Sequence, residues 1–284
     1  MKKVLQRLIM FAVGLPLVVG IVVLLPQRNH AAANMIITLL SSFGALEFSD
    51  IIGKKGYRLS LGEAAVLGSL APLAMTLSVS FNVNGELVPG AFILGASWLI
   101  ASRTFSSIVE VKSTVDRIIA GLSVMIYPGV FMLWIVRMSL FANASTVILV
   151  FLLIVFANDS FAWAVGMLWG KGNRGVVPAS PNKSVAGFIG GLSASILIGV
   201  LAPIIFPQVF ASSRIPDIAA GIILGFVTGV VAIIGDLAES TIKRSGEVKD
   251  SGVLILGRGG VLDSIDSLAL AAPAFYALHI ILYR

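Results

Sequence analysis

The chain has 284 residues, of which 57% are hydrophobic and only 12% charged, against about 25% charged in an ordinary soluble domain. Mean hydropathy is +1.00 over the whole chain, and twenty basic plus fourteen acidic side chains cannot clothe a globule of this size in water. A soluble enzyme, a disordered chain and a disulfide scaffold are excluded, which leaves an all-α integral membrane protein, a polytopic helical bundle. A transmembrane barrel would alternate polar and apolar residues, whereas these segments are apolar all round. Cysteine is absent and there are two histidines, His30 and His279, so thiolate chemistry and a histidine-rich metal cage are also excluded. A net charge of +6 and a pI near 9.8 fit basic loops facing anionic headgroups rather than nucleic acid.

A crossing needs about 20 largely apolar residues. In chain order the apolar runs predict about nine spans: 8–26, 31–52, 64–81, 87–102, 118–136, 146–168, 184–206, 217–237 and 261–281, the fourth of them short. The first has a basic flank in Lys2, Lys3 and Arg7, as a signal peptide would. Its apolar run is longer than a usual signal core, and Gln27–His30 separate it from the small residues Ala31–Ala33, so it reads as a retained helix.

The basic residues then alternate by side. With the N-terminus inside, the inner segments hold Lys2, Lys3, Arg7, Lys54, Lys55, Arg58, Arg103, Lys112, Arg117, Lys171, Arg174, Lys183, Lys243, Arg244, Lys249 and Arg258. The outer segments hold only Arg28, Arg137, Arg214 and Arg284. Sixteen against four follows the positive-inside rule and predicts a cytoplasmic N-terminus. Residues 1–145 read as an N-terminal region of about five spans, and 146–284 as the region that carries the chemistry.

Glu47, Asp159, Asp236, Glu239, Asp263 and Asp266 lie in or against apolar helices, where a carboxylate is costly unless paired, hydrated or bound to metal. For Glu47 and Asp159 an interfacial helix end is an equally good account. Asp236, Glu239, Ser240 and Lys243 are spaced to share one helix face, as are Asp263 and Asp266. Between them runs a polar loop with Lys243, Arg244, Lys249, Asp250, Arg258, Gly257, Gly259 and Gly260. Hard oxygen ligands suit Mg²⁺, while basic groups and exposed N–H groups suit phosphates. Together they point to metal-assisted phosphoryl or nucleotidyl transfer. A second polar island comprises Asn158-Asp159-Ser160 and the loop Ser180-Pro181-Asn182-Lys183-Ser184. Lys183 and Ser184 at a helix start fit either an anion site or a plain N-cap with a snorkelling lysine. There is no Walker loop and no dinucleotide fingerprint.

The run Ser240-Thr-Ile-Lys243-Arg244, Lys249-Asp250, Gly257-Arg258-Gly259-Gly260 and Asp263-Ser264-Ile265-Asp266 resembles the signature of the phosphatidate cytidylyltransferases, the CDP-diacylglycerol synthases. Asn158-Asp159, the Ser180–Ser184 loop and Gly235-Asp236 resemble upstream parts of the same pattern. The family usually has proline at Leu256, histidine at Arg258 and arginine at Ser264.

The resemblance implies reaction of CTP with phosphatidic acid to give CDP-diacylglycerol and pyrophosphate. It implies Mg²⁺, with room for a second cation, held by Asp236, Asp263 and Asp266, with Asp250 a weaker ligand. Lys183, Lys243, Arg244, Lys249 and Arg258 would meet phosphates, aided by Gly259 and Gly260. Ser180, Asn182 and Ser240 would donate hydrogen bonds, and Asn158 and Asp159 would lie near nucleotide or metal. The expected setting is the cell membrane, with the site facing the cytoplasm. A CTP-dependent lipid-alcohol kinase and a transporter are the rival readings, the second weakened by the absence of a clear internal repeat. Gly187, Gly190, Gly191, Gly221, Gly225 and Gly229 permit close helix packing, within one chain or across a homodimer.

Overall fold

Among the described residues of the computed structural model, which are 13–105, 107–212, 214–255 and 259–284, nine apolar helices follow the nine predicted runs. They are α1 (Leu15–Leu24), α2 (Gln27–Gly53), α3 (Leu61–Phe81), α4 (Leu87–Ala101), α5 (Thr114–Met138), α6 (Ala144–Trp169), α7 (Val185–Ile205), α8 (Asp217–Ser245) and α9 (Leu262–Tyr283). Short helices at Ile108–Lys112 and Pro207–Phe210 complete the element order, and no strand occurs among the described residues.

Seven of the nine, α2, α3 and α5 to α9, are long and apolar enough to cross a membrane. Seven of the nine expected crossings thus have a helix of spanning length among the described residues. The fifteen residues of α4 rise about 22 Å, short of a hydrocarbon core about 30 Å thick. Of the expected span 8–26, the residues before 13 lie outside the described part, and so do Lys2, Lys3 and Arg7. The chain is a multi-pass helical membrane protein.

Contacts divide the chain into two units: residues through Leu140 with Ile242–Ile265, and Phe141–Thr241 with Asp266–Arg284. The segment 242–265 thus groups with the N-terminal helices of the first unit. Both α8 and α9 run through a boundary.

In the first unit, packing rests on polar pins between apolar helices. Ser60 and Glu63 form a capping box at the start of α3, satisfying N–H groups that have no intrahelical partner. Glu63 also pairs with buried Arg117 of α5, whose guanidinium donates to Leu99 O of α4 at 3.0 Å, and it accepts from Trp98 Nε1 at 3.2 Å. One carboxylate thus ties three helices. Around Pro128, α5 loosens into a π-turn over Met125–Val130, because proline has no N–H to give the helix. The Ser41 hydroxyl of α2 lies between the Pro128 and Gly68 carbonyls and donates its one proton to either. Ala71, Met75, Val79, Leu133 and Val136 pack as an apolar cluster.

The polar break between the first two predicted spans is a corner. Arg28, Asn29 and His30 all take left-handed backbone angles, which non-glycine residues adopt at a cost of about 1–2 kcal/mol each. Asn29 Nδ2 donates to Val79 O and Asn34 Nδ2 to Asn29 O, each at 2.8 Å, and these bonds hold the corner against that cost.

In the second unit, α6, α7 and α8 meet along a seam of small residues. A side chain at Gly187, Gly190 or Gly191 would strike Ala162, Val165 or Asn158 of α6, and one at Gly221, Gly225 or Gly229 would strike Gly199 or Ser195 of α7. All six are used in packing within the chain, where van der Waals contact is the main force between helices in lipid.

Candidate active site

In the second unit the site is built on α8 and α9. α8 is 29 residues long and continues two turns past the apolar run 217–237. Asp236, Glu239, Ser240 and Lys243 therefore do share a face of one helix. Gly235 lets α8 approach α9 closely: a β-carbon there would sit 2.7 Å from Asp266 O and 3.2 Å from Ser267 Cα. This approach places Asp236 beside Asp266. Asp266 is buried and stands within electrostatic range of Asp236, Asp159 and Glu239. Three carboxylates from α6 and α8 thus bear on Asp266 of α9, and like charges so placed disfavour one another.

One cation answers this cluster directly. Lys183, just before α7, forms an ion pair with Asp236, their side chains 24% and 33% exposed. Ser184 beside it is an N-cap, accepting the Gly187 N–H at 3.0 Å, so the plain-cap reading holds for the serine, while the lysine turns toward the carboxylates. The loop before it is a run of turns. Asn173 receives the Val185 N–H on its carbonyl at 3.0 Å, and the Lys183 N–H bonds Ser180 O at 3.1 Å. Ser180 is half-buried and Asn182 exposed. Asn158 is committed to packing: its Nδ2 donates to Ser195 Oγ at 2.9 Å and Gly229 O at 3.3 Å.

In the first unit the last turn of α8, the following loop and the start of α9 form a second cluster. Lys243 and Asp263 make an ion pair. The other oxygen of Asp263 accepts the Ser251 N–H at 3.0 Å, the Ser251 hydroxyl at 2.9 Å and the Gly260 N–H at 2.8 Å. Gly259 has φ +114 and lies against Asp263, so a side chain there would be strained and would collide. Arg244 donates to Val248 O at 3.3 Å. Lys249 and Asp250 are exposed, and Ser240 is half-buried. Arg258, with Gly257 and Leu256, lies outside the described residues.

Sequence reasoning left two members of this cluster aside. Glu47 of α2, weighed as a helix-end carboxylate, is buried and accepts the Val261 N–H at 3.0 Å and the Leu262 N–H at 2.8 Å. Its isolated charge in an apolar run was the available signal. Ser251 bridges Glu47 Oε2 and Asp263 Oδ2 at 2.9 Å each, and its single proton serves one of them at a time. Nothing in the local sequence marks it.

Whether a divalent cation fits can be judged from the donors. Asp159, Asp236, Glu239 and Asp266 are all hard oxygen donors, the chemistry Mg²⁺ prefers, and their mutual repulsion is what such an ion would relieve. As the side chains stand, no three acidic or histidine groups among the described residues are gathered around one point, and Asp236 is paired with Lys183. The donor set fits the ion by its chemistry.

The sequence matches the cytidylyltransferase family over residues 5–282. It is 31% identical to a phosphatidate cytidylyltransferase of Chlamydia trachomatis, with 97% of this chain and 92% of that protein aligned. A Chlamydia muridarum protein of the same name is 29% identical over the same shares. The Bacillus subtilis phosphatidate cytidylyltransferase is 41% identical over 126 residues, 44% of each chain.

Proposed function

The chain belongs to the cytidylyltransferase family, and on that premise we propose that it is a phosphatidate cytidylyltransferase, a nucleotidyltransferase of phospholipid biosynthesis. It joins CTP to phosphatidic acid and releases pyrophosphate. The observation that carries the chemistry is the buried Asp266 within range of three other carboxylates, in helices that otherwise read as membrane spans.

An oxygen of the lipid phosphate attacks the α-phosphorus of CTP, and the bond from that phosphorus to the bridging oxygen breaks as pyrophosphate leaves. The lipid phosphate is already an anion, so general-base help is a small part of the barrier. The larger part is bringing two anions together and stabilising the leaving charge. Asp236 and Asp266 would hold Mg²⁺, and Asp263 and Asp250 are the acidic groups that remain for a second cation. When bound, the ion supplies charge neutralisation at the phosphates. Lys183 and Lys243 now lie on carboxylates. They are positioned to exchange those partners for substrate phosphates, while Arg244, Lys249 and Arg258 supply further positive charge. Ser180, Asn182, Ser240, Gly259 and Gly260 offer hydrogen-bond donors. Asp159 tunes the carboxylate cluster, and Asn158 keeps α6, α7 and α8 in register.

The chain lies in the cell membrane with its N-terminus and this chemistry on the cytoplasmic side, as the distribution of basic residues supports. Nine crossings are reached if α1 and α4 join the seven long helices. CTP then arrives from water, and phosphatidic acid keeps its tails in the bilayer.

The test is an assay of the purified chain with CTP, phosphatidic acid and Mg²⁺. Pyrophosphate and CDP-diacylglycerol should appear in equal amounts. Release of CDP would instead assign a lipid kinase, and substrate flux without pyrophosphate a transporter.

A further inference from the structure

Glu47 lies far from the signature in sequence, yet its carboxylate is where the signature loop ends. Oε1 takes the Val261 N–H, and Oε2 takes the Leu262 N–H and the Ser251 hydroxyl. Val261 and Leu262 open α9, whose first N–H groups have no partner inside the helix, and a negative charge is favoured there. These three bonds close the loop at both of its sides, since Ser251 follows α8 and Val261 precedes the body of α9. Packing around the carboxylate is equally close. A β-carbon at Gly252 or Gly260 would run into its oxygens. The Ser251 and Gly260 N–H groups also fix Asp263 Oδ2. Asp263 therefore owes its orientation toward Lys243 to a frame whose far wall is Glu47.

We propose that Glu47 is a positioning residue for nucleotide binding: it fixes Ser251, Val261 and Leu262 and, through Ser251 and Gly260, the Lys243–Asp263 corner. The inference rests on the cytidylyltransferase reading above. The positive charge of this corner comes from Lys243 and the exposed Lys249 beside it, so loosening it bears on the triphosphate of CTP more than on phosphatidic acid, which the bilayer already holds. Glutamine in place of Glu47 keeps the size and one acceptor, but it offers the Leu262 N–H a second donor instead of an oxygen. A charge-assisted bond is lost and a buried donor is left unmatched.

The experiment compares the unaltered chain with Glu47→Gln and Ser251→Ala in detergent, measuring KM for each substrate, thermal unfolding and amide hydrogen exchange at 251–262. Glu47→Gln should raise KM for CTP about tenfold and leave KM for phosphatidic acid within about twofold. Exchange at Val261 and Leu262 should quicken. Ser251→Ala should shift KM for CTP in the same direction by a smaller factor, and it decides the matter if Glu47→Gln fails to fold. A lower melting temperature with both KM values unchanged would make Glu47 a purely structural group and overturn the proposal. Equal rises in both KM values would also overturn it. If the unaltered chain forms no pyrophosphate from CTP and phosphatidic acid, it is the reaction itself that fails, whatever the exchange rates show.

Discussion

Lys243 and Asp263 form an ion pair with side chains only 12% and 8% exposed, and the same carboxylate also accepts the Ser251 and Gly260 N–H groups. Two charges so far from water stabilise each other only as a pair. Removing one leaves the other buried and uncompensated, at a cost of about 3–5 kcal/mol. Lys243→Met should therefore lower the melting temperature in detergent sharply. Lys243→Met with Asp263→Asn should recover most of that loss and restore no turnover. A double variant as unstable as the single one would show that the pair is not the source of the effect.

Asp266 differs from Asp263 in being buried among like charges. Its carboxylate therefore adds little to stability, and Asp266→Asn should unfold at the same temperature as the unaltered chain or a higher one. Product formation should fall by about a hundredfold or more, the scale expected when a charge-stabilising group is removed. Turnover within twofold of normal would remove Asp266 from the catalytic set.

Chelation gives the complementary measurement. EDTA should stop pyrophosphate release, and added Mg²⁺ should restore it. Residual turnover unaffected by chelator would mean that the carboxylates serve without a metal.

Gly235 sets the spacing of α8 and α9 at Asp266. Gly235→Val would push the helices apart where the carboxylates meet. It should lose activity by at least about tenfold together with a destabilisation of about 1–3 kcal/mol, the usual range for overpacking. Gly246→Val, next to Ile51 and well away from Asp266 in sequence, should affect stability more than turnover.

Because the chain has no cysteine, single cysteines report topology cleanly. Lys171→Cys should react with an impermeant thiol reagent only from the cytoplasmic side of membrane vesicles, and Arg214→Cys only from the opposite side. Both are exposed. Labelling of the two from one side would contradict the orientation drawn from basic residues.

Much of this architecture was legible because lipid imposes a simple rule: an uninterrupted apolar run must be a helix that satisfies its own backbone. The runs 146–168, 184–206 and 261–281 reappear as α6, α7 and α9 within a few residues. Length was harder to read, since hydropathy ends where α8 does not. Its polar last turns are helical because Lys243 and its neighbours follow the same backbone ladder. The shared face of Asp236 and Lys243 followed from spacing alone. Which cation would lie on which carboxylate did not, because the Lys183–Asp236 pair joins residues 53 apart. Glu47 and Ser251 were harder still: their bond spans 204 residues, and no periodicity carries information over that distance.

The length of α8 has one more consequence. At 1.5 Å per residue its 29 residues extend about 43 Å, beyond a hydrocarbon core of about 30 Å, and Asp236 and Lys243 are marks about 10 Å apart along it. On the proposed reading this rod is a yardstick laid across the water boundary, its deeper mark level with a lipid headgroup and its shallower mark level with a dissolved triphosphate. The two reactants can then be brought into line with neither leaving its own phase.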